Sequence, residues 1–259
     1  MKLKIDFHVH SYKSFDCFMS YDQIIKAAKK RGLDGVCICD HACTDISESL
    51  GNNNDDFIII PAVEFTTGKN HIIGMFLEHE PVTVFGDKLD VPIDEIIAKT
   101  HQSGGICILA HPFQRLKSGV SDVSLQTDNI MKKTDGMEVY NSRAPYKYPR
   151  ANKLAAEKAD ILGTVCRVAG SDAHLPDEIG NAYCTVDTPS RSLSDIKKAV
   201  LDGKVEITGS HCKRTSVTRS ELNKSIKTGG SFVRKLKLYI SYPLRYAVDI
   251  FDSITGRKL

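Results

Sequence analysis

Two histidines one residue apart, His8 and His10, close the first apolar alternation of the chain, in which Leu3, Ile5 and Phe7 interleave with Lys4 and Asp6. A period of two is that of a β-strand, and residues i and i+2 of a strand project to the same side, so both imidazoles can reach one ion. Four further short apolar runs lead to residues of the same kind. Gly35–Cys39 runs into Asp40-His41, the run from Phe57 into Glu64, Ile106–Ala110 into His111, and Val165–Ala169 into Asp172 and His174. Asp16 and His71 lie in adjoining segments, so six of the nine histidines belong to one set. Histidines scattered through a core or a surface would not gather at five strand ends. Neutral imidazole with carboxylate suits Zn²⁺, Mn²⁺ or Fe²⁺, and the lack of thiolates argues against a purely structural zinc. Nine ligands exceed what one ion takes; they suit two or three ions that share a bridging carboxylate.

The elements that must hold these residues alternate. Ser20 and Gln23 form a capping box that opens a helix running to Gly32. Further helices are expected over 92–104, with Pro near its start and Gly at its end, over the alanine-rich 147–162, and over 193–203. Residues 71–77 and 136–140 read as strands, the former pairing with its predecessor, 205–208 as a short strand, and 42–57 as loop. Strand and helix alternate with no composition break before residue 209. This predicts a βα-repeat barrel or an open α/β sheet, in which polar residues after the strands mark the active face. A length of 259 residues suits one large domain of this kind.

The net charge of +3 is unevenly spread: residues 210–259 hold eleven Lys and Arg against three Asp and Glu, which leaves −5 on residues 1–209. No apolar run approaches the roughly 18–20 residues of a membrane span. The N-terminus runs straight into a strand, so no leader is expected. The eight cysteines include no Cys-x-x-Cys pair, and a reduced, cytoplasmic protein is expected.

The motifs Asp6-Phe-His8-Val-His10-Ser11, Cys39-Asp40-His41, Glu64 with His71-Ile-Ile-Gly74, Ala110-His111-Pro112 and Gly170-Ser-Asp172-Ala-His174 resemble the signatures of the PHP (polymerase and histidinol phosphatase) superfamily. Each is short; their order and spacing from residue 3 to about 209 carry the signal. The resemblance implies a distorted (β/α)7 barrel with up to three divalent metals; the basic C-terminal segment over 210–259 lies outside it and, from its composition, is expected to pack on the barrel with its charges solvated. It further implies that His8, His10, Glu64 and Asp172 hold one ion. Glu64 would bridge to a second held with His71 and His111, and Asp16, His41 and His174 would hold a third. Asp16 stands where some members have His, and its oxygen would shift preference toward Mn²⁺ or Fe²⁺.

The expected reaction is phosphoester hydrolysis by water activated between metal ions, attacking phosphorus in line without a protein nucleophile. Asp6 and Asp40, close before ligand histidines, are candidates to accept the second ring N–H of an imidazole. Arg143, after a Glu138-Val-Tyr-Asn141 stretch that members of the family share in similar form, is a candidate clamp for phosphate oxygens. Arg115 is a weaker candidate of the same kind, and Asn141 a further substrate contact. His79, His101 and His211 read as structural. Beyond the turn at Thr228–Ser231, residues 232–240 mix apolar and basic side chains without clean helical phasing, and Pro243 interrupts whatever element is there. A basic, tyrosine-bearing tail could touch nucleic acid or an anionic membrane surface, of which nucleic acid is the expected partner and a membrane is not. Small phosphomonoesters, sugar phosphates or nucleotides, are the default substrates. The competing readings are a nuclease of the same family, an amidohydrolase, and a non-catalytic metal-binding module, the last disfavoured because no ligand is missing.

Overall fold

A computed structural model of the chain describes residues 1–41, 43, 45–54, 56–67, 70–79, 91–114 and 129–255. Among the described residues nine strands form one sheet: β1 (Lys2–Val9), β2 (Gly35–His41), β3 (Ile58–Thr67), β4 (Asn70–Met75), β5 (Ile106–Ala110), β6 (Gly136–Asn141), β7 (Arg167–Gly170), β8 (Ala182–Asp187) and β9 (Val205–Gly209). Their order is β7-β6-β5-β4-β3-β2-β1-β8-β9. Pairing is parallel in β1–β2–β3 and β5–β6–β7, and antiparallel where β4 runs between β3 and β5 and where β8 and β9 extend the sheet beyond β1. The first seven strands curl until the end of β7 meets the end of β1 in a parallel bridge, Val9 to Ala173, with the Asp172 N–H donating to the His8 carbonyl at 2.8 Å. The result is a nearly closed barrel-shaped sheet, the distorted barrel that the motifs imply.

Gly170 makes that closure possible. A Cβ there would stand 2.2 Å from the Cβ of His8, so only glycine lets the two strands approach this closely. Alternate residues of the strands fill the interior, among them Leu3, Ile5 and Phe7 of β1, Ile58 and Ile60 of β3, and Ile106 and Ile108 of β5. Their opposite faces pack against the helices α1 (Tyr21–Lys30), α3 (Ile93–Gln102) and α5 (Ala151–Leu162), the last following the single turn of α4 (Ala144–Lys147). The capping box of α1 forms as its sequence predicts, with Gln23 N–H donating to Ser20 Oγ and Ser20 N–H to Gln23 Oε1.

Several elements differ from the sequence-based expectation. Residues 47–52, expected as loop, form the short helix α2 (Ser47–Asn52). Ala182–Asp187, which the sequence reading leaves unassigned, is β8; its buried residues Ala182, Cys184 and Val186 alternate as a half-buried strand should. After α6 (Leu193–Leu201) and β9, the basic extension forms two helices, α7 (Arg214–Lys227) and α8 (Phe232–Thr255). Pro243 does not end an element; it lies inside α8. The helical phase of α8 emerges over its 24 residues and is lost in the window 232–240.

Candidate metal centre

All nine residues expected as ligands converge at one end of the barrel. Interior positions carry them by strand periodicity: Cys37, Cys39 and then His41 on β2, Ile60, Ala62 and then Glu64 on β3. His71 begins a strand instead of ending one, and reaches the same face because β4 is antiparallel to its neighbours. His8 needs a correction to the alternation. Leu3, Ile5 and Phe7 face the interior while Val9 packs outside with α1, so the phase reverses between residues 7 and 9. An irregularity in the β1–β2 register between Asp6 and Val9 supplies that reversal and turns His8 and His10 inward together. Two of the ligands sit in strained backbone: His111 at φ 27° and Asp172 at φ 56°.

The donor atoms fall into three groups. His8 Nε2 and His10 Nε2 lie 3.2 Å apart, each 3.5 Å from Glu64 Oε2 and 3.8 and 3.4 Å from Asp172 Oδ1. The other oxygen of Glu64 faces His71 Nδ1 at 2.7 Å and His111 Nε2 at 3.1 Å. Asp16 lies 3.5 Å from His41 Nε2 and 3.3 Å from His174 Nε2, and His41 Nδ1 turns back to Glu64 at 3.1 Å. Ligands about 2.0–2.2 Å from one ion stand roughly 3–3.5 Å from one another, the spacing found here. Glu64 Oε2 is buried with no hydrogen-bond donor, although three imidazole nitrogens surround it. A bare buried carboxylate oxygen is costly unless a cation meets it. The donor set therefore fits divalent metal ions.

Charge agrees. Burial pushes His10 and His41 down, to about 4 and about 3, leaving neutral imidazoles with lone pairs to share. Burial works to raise Glu64, Asp172 and Asp16, but the imidazoles around them, with Arg143 beside Asp172, outweigh it and hold all three below the usual carboxylate range. His8 and His174 move the other way: burial opposes their charge, and it is overcome by Cys39 with Glu138, Asp172 and Glu64 around His8, and by Asp16 and Asp172 around His174.

The supporting residues differ from expectation. Neither Asp6 nor Asp40 makes the imidazole contact foreseen for it. Asp6 accepts from the N–H groups of His8, Ser171 and Gly180 and from Ser171 Oγ, which ties β7 to β1. Asp40 accepts from Ser11 N–H and Oγ, and so fixes the loop that carries Asp16. Both carboxylates sit on the outer side of their strands, opposite the ring nitrogens. The orienting acid is Glu138: fully buried, it lies 3.1 Å from His8 Nδ1 and accepts the His111 N–H at 2.8 Å. Its inward position follows from the pairing of β6 with β7, whose register shifts just after it, and is not visible in the sequence of β6 alone. Cys39 also lies close beneath His8 and His10.

Asn141 is not presented to a substrate. Its amide donates to Glu138 and Asp172, and its oxygen accepts from the N–H groups of Arg143 and Ala144. Arg143 does reach the site, with its guanidinium donating to the Asp172 carbonyl and Ser220 Oγ and lying against His174 Nδ1. Arg115 lies outside the described residues. His101 is on α3, 2.7 Å from Asp135; His211 packs its ring near Tyr140, and His79 is exposed.

Seven of the nine ligands floor a cavity of about 290 Å³, His8 and His10 being fully buried; its wall includes Phe15, Gln114, Tyr146 and Lys147, with Val217, Ser220, Glu221 and Lys224 of α7 across it. Lys224 Nζ lies 3.1 Å from Asp16 and over the Phe15 ring, which in turn stacks on His41. Lys227 donates to the carbonyls of Tyr12, Ser14 and Cys17. Helix α7 of the basic extension thus both pins the Asp16 loop and roofs the centre.

Comparison with known proteins places this architecture. Residues 149–205 match the family described as PHP-associated. The chain is 30% identical over 184 residues to the uncharacterized protein MJ0417 of Methanocaldococcus jannaschii, covering 70% of this chain and 69% of that one. Among solved structures, PsfC from Pseudomonas syringae superposes with a TM-score of 0.62 at 16% identity, over 87% of this chain and 98% of that one. A two-domain Bacteroides vulgatus protein containing a predicted PHP-like metal-dependent phosphoesterase gives 0.57 at 17% identity, over 86% and 70%. The lesion-specific endonuclease PfuEndoQ of Pyrococcus furiosus gives 0.61 at 17% identity, over 82% and 60%. The PHP-associated match, on a chain whose five strand-end motifs meet in a nearly closed barrel, identifies the chain as a member of the PHP superfamily.

Proposed function

We propose that the protein is a metal-dependent phosphomonoesterase acting on small phosphorylated metabolites or nucleotides. The observation that carries this reading is the meeting, in one cavity of about 290 Å³, of the imidazole–carboxylate centre with the cationic side chains of Arg143, Lys147 and Lys224. When bound, divalent ions would supply a water deprotonated near neutral pH and counter-charge for phosphoryl oxygens. His8, His10, Glu64 and Asp172 would hold one ion, Glu64 with His71 and His111 a second, and Asp16, His41 and His174 a third.

The chain's other residues do the positioning. Glu138 fixes the tautomer of His8, so that Nδ1 carries the proton and Nε2 the lone pair. The Arg143 guanidinium, held by Ser220 and the Asp172 carbonyl, presents its charge to non-bridging oxygens of a phosphate in the cavity. Phe15 and Tyr146 offer apolar surface to the group esterified to that phosphate. The cavity stands near the lower end of the range for small-ligand sites, roughly 300–1,000 Å³. Helix α7 across its wall favours a compact substrate over a continuous nucleic-acid strand.

The test is phosphate release from a panel of sugar phosphates and mononucleotides by the full chain with Mn²⁺, beside a labelled oligonucleotide. Metal-dependent release from monoesters is expected. Cleavage of the oligonucleotide alone would replace this reading with a nuclease, and wild-type activity in a metal-stripped preparation would refute the metal centre.

A further inference from the structure

Helix α8 is inside out. Its side toward α7 is polar: Asp249 accepts from the N–H groups of Arg214 and Thr215 and from Thr215 Oγ1, Asp252 pairs with Arg214, and Arg245 donates to Thr218 Oγ1. Asp249 thereby caps the start of α7, whose own N-cap residue, Lys213, makes no side-chain cap. The opposite side is apolar. Phe232, Leu236, Ile240, Leu244, Ile250, Phe251 and Ile254 point away from the protein, and Ile240, Leu244 and Ile254 are 70%, 71% and 78% exposed. None of the 24 residues is buried. At 100° per residue these side chains, with Pro243 and Ala247, span an arc of roughly 120° centred opposite the α7 contact. A helix docked on a globular protein normally turns its apolar stripe inward. Here the polar stripe is spent on α7, and the apolar one faces out over a length of about 36 Å.

The charges on that outward face are of one sign. Both acids of the helix, Asp249 and Asp252, are engaged on the α7 side. Lys237 stands at one rim of the apolar arc and Lys235 at the other, and the sequence continues into Arg257 and Lys258. Tyr239, Tyr242 and Tyr246 line the flank on the Lys235 side, the amphipathic rings that favour the headgroup level of a bilayer. No helix among the described residues is long and apolar enough to cross a membrane.

We propose that α8 lies in the plane of an anionic lipid surface, with Leu236, Ile240, Leu244 and Ile254 in the acyl boundary and Lys235 and Lys237 reaching the headgroups. A second copy of the chain fits the face less well, since it would bring uncompensated lysines toward one another. The proposal does not depend on the catalytic reading; an esterase, a nuclease or an inactive barrel would dock in the same way.

The test is co-sedimentation of the full chain with phosphatidylcholine vesicles, with and without phosphatidylglycerol. Binding to the anionic vesicles is expected, weakening at least tenfold as salt rises from about 0.05 to 0.5 M. Ile240→Glu with Leu244→Glu, both already in water, should weaken it by on the order of 100-fold with an unchanged circular dichroism spectrum. Lys235→Glu with Lys237→Glu should weaken binding to anionic vesicles and provides a second probe if the first variant misfolds. Wild-type protein that stays in the supernatant with both vesicle types would overturn the proposal. So would a lipid-free dimer that the Ile240→Glu, Leu244→Glu variant dissolves, which would assign the face to a second copy.

Discussion

Glu138→Gln probes the centre without touching a ligand. Every group that Glu138 meets is a donor: His8 Nδ1–H at 3.1 Å, His111 N–H at 2.8 Å, and Asn141 Nδ2 at 3.2 and 3.1 Å from its two oxygens. Gln keeps the shape but turns an NH₂ toward one of these donors. Whichever way it flips, one buried donor loses its acceptor, which costs about 1–3 kcal/mol. If that donor is His8 Nδ1–H, the ring is also free to take the tautomer that puts a proton on Nε2. The expected loss is about 10–100-fold in metal affinity, in line with other substitutions of residues that orient metal-binding histidines. The assay is metal titration of the apo protein against a chromophoric chelator, with thermal unfolding of the metal-free variant alongside. Unchanged metal affinity with a lowered unfolding temperature would show that Glu138 merely packs the barrel, and would refute the argument.

Other consequences are equally open to measurement. Asp172→Ala or His8→Ala should lower kcat by at least about 100-fold with near-native circular dichroism; retention of wild-type turnover would remove them from the reaction. Because carboxylates raise His8 and His174 in the metal-free protein, metal uptake near neutral pH should release protons, and affinity should rise with pH as these imidazoles deprotonate. Calorimetry in buffers of differing ionisation enthalpy reads that release, and an enthalpy independent of buffer would contradict it. Gly170→Ala forces a methyl against His8 in the barrel seam, a strain of about 1–3 kcal/mol that should lower Tm by several degrees and weaken metal binding. An unchanged Tm would mean that the seam is not closed by that contact.

Much of the centre is legible in the sequence because ligand residues follow apolar runs, and strand alternation alone turns His41 and Glu64 to the interior. For His8 the alternation is an incomplete guide: it shares a side with His10, but a break in register, not the alternation of Leu3, Ile5 and Phe7, turns both inward. The break depends on pairing with β2, which one strand's pattern does not contain. Sequence proximity to a histidine does not fix the side of the strand, and Asp6 and Asp40 both point away from the rings. Glu138 could be seen only once β6 was known to lie beside the His8–His111 end of the barrel. The C-terminal helices were hidden by their own chemistry. The polar face of α8 is satisfied by α7, so its pattern matches neither a core helix nor a solvated one.

Glu64 joins two groups of imidazoles into one site fitted to divalent cations. Elemental analysis of the full chain after equilibrium dialysis with Mn²⁺, compared with Glu64→Gln, tests it most directly. About two to three ions per chain are expected for the wild type, with a loss of at least one in the variant. A wild-type chain that retains less than about one ion, or a variant that retains as many as the wild type, would contradict the account.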